Sequence, residues 1–102
     1  MAFLLVTMTY PPYKAKELGK QYLQVAKSKL PSFLKISNLF TTTVPKYGIK
    51  VYALYEVEDD KILDGMKAIV TRYDPFSGVE GWIYNIETLL EVKDALPLIG
   101  IT

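Results

Sequence analysis

The chain has neither cysteine nor histidine among its 102 residues. The lack of cysteine excludes disulfides, thiolate metal sites and a cysteine nucleophile. The lack of histidine removes the commonest general base and the usual ligands of zinc and haem. Any chemistry must come from carboxylates, lysine, tyrosine, asparagine, serine or threonine. We therefore predict no metal site and no cofactor, and we assign no catalytic residue.

The chain also has little net charge and no long apolar run. Its formal net charge is +1, so strong non-specific attraction to nucleic acid is not expected. Residues 2–8 are apolar, but no basic residue precedes them, and Pro11 and Pro12 follow. This run is too short for a spanning helix and lacks the pattern of a signal peptide. We expect a cytoplasmic protein that binds neither nucleic acid nor membranes.

The charges that are present are unevenly distributed along the chain. Residues 1–51 contain eight lysines and one acid, whereas residues 52–102 contain four basic residues and ten acids. In a compact fold the two halves interleave and can neutralise each other. The alternative is electrostatic complementarity between subunits or toward a partner.

Half of the residues are apolar and 23% are charged, a composition in which burial can outweigh chain entropy. A chain of this length has room for one hydrophobic core. We predict a single domain over residues 1–102.

The residue pattern predicts four strands and two main helices. Strands are predicted at 3–10, 33–44, 49–57 and 79–87, where β-branched and aromatic residues are frequent. Apolar residues recur at three- and four-residue spacing in 12–29 and from 58 to about 74, which predicts amphipathic helices. Pro45 to Gly48 supplies a turn between the second and third strands. A short helix is predicted in 89–96, before Pro97.

The predicted strands are apolar on both faces. In the third strand Ala53 and Tyr55 point to one side, while Tyr52 and Leu54 point to the other. Two helices can cover only one face of a four-stranded sheet, so the second face needs another cover. We predict a homodimer in which the sheets of two subunits pack together.

The element order β-α-β-β-α-β predicts an α+β, ferredoxin-like sandwich with a four-stranded antiparallel sheet. With the two-faced strands, the hairpin through Tyr47 and Gly48, and the leucine-rich tail at 89–100, the chain resembles the dimeric α+β barrel superfamily. That superfamily includes cofactor-free monooxygenases, haem-degrading enzymes and ligand-binding regulators. Haem degradation there usually requires a histidine, which this chain lacks. The monooxygenases often combine asparagine, tryptophan and tyrosine around an aromatic substrate.

Five residues are candidates for lining a ligand pocket: Asn38, Tyr52, Glu56, Trp82 and Tyr84. Asn38 and Glu56 are polar residues inside apolar strands, and the three aromatics could form the wall of a cavity. The alternatives are a bulge or an outward-facing amide at Asn38, an ion pair of Glu56 with Lys35 or Lys50, and ordinary packing of the aromatics.

Two functions are compatible with this chain. The first is a non-catalytic dimeric module that binds a small apolar or aromatic ligand or serves in assembly. The second is a cofactor-free monooxygenase or isomerase acting on an aromatic substrate. The first is favoured because the chain lacks a recognisable nucleophile, metal site or histidine base.

Overall fold

A computed structural model of the chain describes residues 1–101, which contain four strands and three α-helices. The strands are β1 (Ala2–Tyr10), β2 (Leu34–Val44), β3 (Gly48–Val57) and β4 (Ile83–Leu89). The helices are α1 (Ala15–Ala26), α2 (Ile62–Tyr73) and α3 (Val92–Ala95). Short 3-10 turns precede α1 and α2 and follow α2 and α3.

The four strands form one antiparallel sheet in the order β2-β3-β1-β4. The two longer helices each connect strands that follow one another along the chain but are not neighbours in the sheet, and β2 and β3 form a hairpin. The architecture is α+β with an open sheet, and it is compatible with a ferredoxin-like fold.

The hydrophobic core lies between the sheet and the helices α1 and α2. Side chains of β1 alternate, so that Leu4, Val6 and Met8 are buried on the helix side. Leu18 of α1 and Ile69 of α2 are buried against this face. The opposite face of the sheet, which we call the open face, is not covered by any element of residues 1–101: none of its side chains is fully buried.

Two glycines allow the backbone to pack closely around the end of β1. Gly48 has a φ of +86°, and a Cβ there would lie 2.7 Å from the carbonyl oxygen of Tyr10. Gly81 has a φ of +82°, and its Cβ would lie 2.6 Å from Pro11 Cγ. Only glycine adopts this conformation at no steric cost. Pro11, which follows the last residue of β1, therefore packs closely against the turns that contain Gly48 and Gly81.

The imperfect alternation of β2 results from a bulge. The pairing with β3 shifts between Ile36 and Asn38, which leaves Ser37 as an extra residue. Because of this shift, Lys35 and Asn38 lie on the same face although they are three residues apart.

The main differences from the predicted elements are near the C-terminus. The fourth strand begins at Ile83 instead of residue 79, because a 3-10 turn with Pro75 extends α2 and a further turn follows it. The last helix is shorter than predicted, and Leu90, Val92 and Leu98 around it are exposed. None of the helices formed by residues 1–101 has the length and apolarity needed to cross a membrane.

Candidate functional site

An apolar cavity lies between α1 and the sheet. Its volume is about 340 Å³. It lies between α1 and residues of β2 and β3, and Gly19 of α1 lines it without a side chain to fill the space. Its walls consist of aliphatic, aromatic and small residues of β1, β2, β3, α1 and the end of α2: Met8, Tyr10, Leu18, Gly19, Tyr22, Leu39, Phe40, Thr41, Val51, Tyr73 and Phe76. We call this space the α1 cavity.

No charged side chain lines the α1 cavity. Its polar groups are the hydroxyls of tyrosines and of Thr41, and the Thr41 hydroxyl donates to the Lys50 carbonyl oxygen at 3.2 Å. Burial raises the pKa of Tyr10 above the ordinary value of a phenol. The cavity is therefore neutral and almost entirely apolar.

Tyr73, in the wall of the cavity, is held by a buried hydrogen bond. Its hydroxyl lies 2.6 Å from the hydroxyl of Tyr55, and either group can be the donor. Burial raises the pKa of both phenols, and for Tyr73 the nearby Tyr55 adds to the increase. Both side chains are neutral at physiological pH, and the bond fixes the orientation of the Tyr73 ring.

An aromatic cluster continues from the cavity wall toward β4. The rings of Tyr73 and Phe76 are stacked with centroids 5.5 Å apart, and Phe76 lies 5.6 Å from Trp82. Trp82 stacks on Tyr84 at 4.6 Å. The indole N–H of Trp82 is 3.4 Å from the sulfur of Met8, which also lines the cavity. Trp82 therefore contacts a residue of the cavity wall but does not line the cavity itself.

The five predicted pocket residues do not form one site. Trp82 and Tyr84 are together on the helix side of the sheet, and Tyr84 is paired across the strands with the buried Met8. Tyr52 and Glu56 lie on the open face, where Asn38 is paired with Leu54. The sheet separates the two groups, and none of the five lines the α1 cavity.

The open-face residues have local roles. Glu56 Oε2 lies 3.4 Å from Lys35 Nζ, as in the ion-pair alternative. Asn38 is exposed beside the bulge, and Lys50 Nζ lies 5.0 Å from the centre of the Tyr52 ring.

The sequence pattern does not distinguish the residues of the α1 cavity from ordinary core residues, because most of them belong to apolar stripes. Leu18 and Tyr22 are part of the periodic face of the first helix, and Met8 is part of the first strand. One local signal was present. Gly19 interrupts a helix beside that stripe, where glycine is unfavourable, and so marks a place where a side chain is missing.

Residues 1–101 contain no group of three or more acidic side chains positioned to hold a metal ion. No protein-family model matches the chain, and no curated protein has significant sequence similarity to it.

Proposed function

We propose that the protein binds a small apolar or aromatic molecule in the α1 cavity. The observation that carries this proposal is the cavity itself: a space of about 340 Å³ with an uncharged, mostly apolar lining, next to a fixed aromatic wall. Ligand sites commonly have volumes of about 300 to 1,000 Å³ and such linings. An engineered apolar cavity of about 150 Å³ is known to bind benzene, so this one has room for a larger ring system.

The only tryptophan of the chain provides a direct test. Because Trp82 contacts Met8 and Phe76, both in the cavity wall, a bound molecule should change its fluorescence. We expect saturable quenching or a spectral shift on titration with naphthalene, confirmed by calorimetry. Native mass spectrometry of the purified protein would show whether a molecule is retained from the host.

A cavity-filling variant locates the binding. A Cβ at Gly19 would have no heavy atom within 4 Å, so Gly19→Leu can place its side chain in the cavity without a clash at Cβ. We expect this variant to fold and to lose naphthalene binding. Gly78→Ala is the control, because Gly78 also has open space at Cβ but does not line the cavity. Unchanged naphthalene binding by Gly19→Leu would contradict the proposal.

We further propose that the protein is a homodimer built on the open face, as in the dimeric α+β barrel proteins that the chain resembles. This face presents many apolar side chains that no element of residues 1–101 buries: Phe3, Leu5, Tyr52, Leu54, Ile83 and Leu89. Removal of such a surface from water favours association.

The charges on the open face support a symmetric arrangement. Lys50 and Glu56 are both on this side of β3, six residues and so about 20 Å apart. A two-fold axis across the middle of the strand would place Lys50 of each copy opposite the partner's Glu56, which also lies 3.4 Å from Lys35 of its own chain. Such self-complementary charge is typical of an isologous interface.

The test is the molecular mass in solution at micromolar concentration. Sedimentation should give the mass of a dimer, and Leu54→Glu, at the centre of the open face, should give a monomer that remains folded. Leu63→Glu is the control because Leu63 is 66% exposed on α2. A monomeric wild type, or dissociation of both variants alike, would refute this interface.

The second hypothesis, a cofactor-free monooxygenase or isomerase, has less support. Its residues Asn38, Trp82 and Tyr84 are divided between the two faces of the sheet, so they cannot hold one substrate within a single subunit. The α1 cavity contains no carboxylate or lysine that could act as a base. Binding without catalysis is the function that this geometry supports best.

A further inference from the structure

A second cleft lies between the segment after α1 and α2. Its volume is about 380 Å³, and its walls contain three basic side chains and two hydroxyls, with small or apolar residues between them: Ser28, Lys29, Leu30, Pro31, Lys67, Ala68, Thr71 and Arg72. None of these residues lines the α1 cavity or lies on the open face. We call this space the basic cleft.

The basic cleft lacks any balancing negative charge. No acidic residue lines it, and none lies within 4.0 Å of Lys29, Lys67 or Arg72 among residues 1–101. The other two basic residues of the acid-rich residues 52–102, Lys61 and Lys93, each have an acidic neighbour, at 3.8 Å and 3.6 Å respectively. The fold thus places Lys67 and Arg72, which have no acidic neighbour, beside Lys29 of the lysine-rich residues 1–51.

Arg72 is positioned to present its guanidinium. Its Nη1 donates to the carbonyl oxygen of Ser28 at 3.3 Å, which ties α2 to the segment after α1. This bond uses one of the five N–H donors and leaves the planar group with others for a ligand. On α2, Lys67 and Thr71 are four residues apart and therefore share a helix face with Ala68 and Arg72.

We propose that the basic cleft binds a small molecule that carries a phosphate group. A phosphate matches the fork of an arginine and accepts hydrogen bonds from lysine and hydroxyl groups. The cleft offers all three donor types; the hydroxyl donor is that of Ser28, because the Thr71 hydroxyl donates to the Lys67 carbonyl oxygen at 2.9 Å. Lys29 and Arg72, near the C-terminal ends of α1 and α2, also interact favourably with the helix dipoles, but Lys67 is in the middle of α2 and has no such role. The volume of about 380 Å³ suits a small phosphorylated compound.

The experiment is a nuclear magnetic resonance titration of the full-length, isotopically labelled chain at low salt, with glycerol 3-phosphate as the probe and glycerol as the neutral reference. We expect saturable shifts of the amide signals of Ser28, Lys29, Thr71 and Arg72 with the phosphate and none with glycerol. Lys29→Gln and Lys67→Gln, both at exposed positions, should each raise the Kd about fivefold, the loss of one charged contact at a partly hydrated site.

Lys20→Gln is the matched control, because Lys20 is an exposed helical lysine without an acidic neighbour within 4.0 Å and lies outside the cleft. It should change the Kd less than twofold. Equal weakening by all three variants, or shifts spread over the lysines of α1, would show general electrostatic attraction and overturn the proposal. Absence of saturable shifts in the wild type would also overturn it, and neither result bears on the α1 cavity.

Discussion

Glycine-to-alanine substitutions in the two long helices should change stability in opposite directions. Gly19 is in α1 and Gly65 is in α2, and in both helices alanine is favoured over glycine by about 0.5 to 1 kcal/mol. The two sites differ in what a new Cβ meets. At Gly19 it has no heavy atom within 4 Å, whereas at Gly65 it lies 2.9 Å from Val57 Cγ2 and 3.3 Å from Leu4 Cδ1.

The magnitudes follow from these contacts. Gly19→Ala should gain the full helix preference and raise the free energy of unfolding by about 0.5 to 1 kcal/mol. Val57 and Leu4 are fully buried, and the β-branched Val57 has little rotational freedom, so neither can move aside easily. Overpacking costs about 1 to 3 kcal/mol, which exceeds the helix preference. Gly65→Ala should therefore lose about 1 kcal/mol.

The assay is urea unfolding followed by far-ultraviolet circular dichroism and by Trp82 fluorescence. All samples need one protein concentration, because a dimer is stabilised by mass action. For a domain of this size, 1 kcal/mol corresponds to a shift of about 4 to 8 °C in Tm. If Gly65→Ala were as stable as the wild type or more stable, the close packing of α2 on β1 and β3 would be refuted.

The buried tyrosine pair leads to two further predictions. Tyr73→Phe should lower the free energy of unfolding by about 1 to 3 kcal/mol, because it leaves the Tyr55 hydroxyl buried without its partner. The double variant Tyr55→Phe/Tyr73→Phe should lose less free energy of unfolding than the sum of the losses in the two single variants. Additive losses in denaturant unfolding would show that the hydroxyls do not interact. Both phenols have a pKa raised by burial, so the unfolded chain releases their protons first, and stability should fall as the pH rises above about 10. The double variant should lose less stability over that range, and an identical decline would contradict the shifted pKa values.

The order of strands and helices was predictable because it depends on local patterns. The periodicity of residues 12–29 predicted α1, and the turn residues Pro45 to Gly48 predicted the hairpin between β2 and β3. The start of β4 was not predicted well. Residues 79–82 have the composition of a strand, but they form a turn instead, at the close approach of Gly81 to Pro11.

The candidate pocket was harder to predict, since a strand pattern shows which residues share a face but not which face the helices cover. The sequence suggested one pocket for Asn38, Glu56 and Trp82, whereas the sheet separates the first two from Trp82. The bulge at Ser37 also changes which residues of β2 lie on the open face, and a register shift depends on the partner strand.

By itself, the sequence determined the absence of cysteine and histidine chemistry, the uneven charge along the chain, and the order of the main elements. These properties depend on residue identity and on neighbours within a few positions. Only the tertiary structure decided where space and charge come together. The α1 cavity depends on where a helix with Gly19 lies over the sheet, and the basic cleft depends on contacts between Ser28 and Arg72, which are 44 residues apart. Such contacts depend on how helices pack on a sheet, and local periodicity does not contain that information.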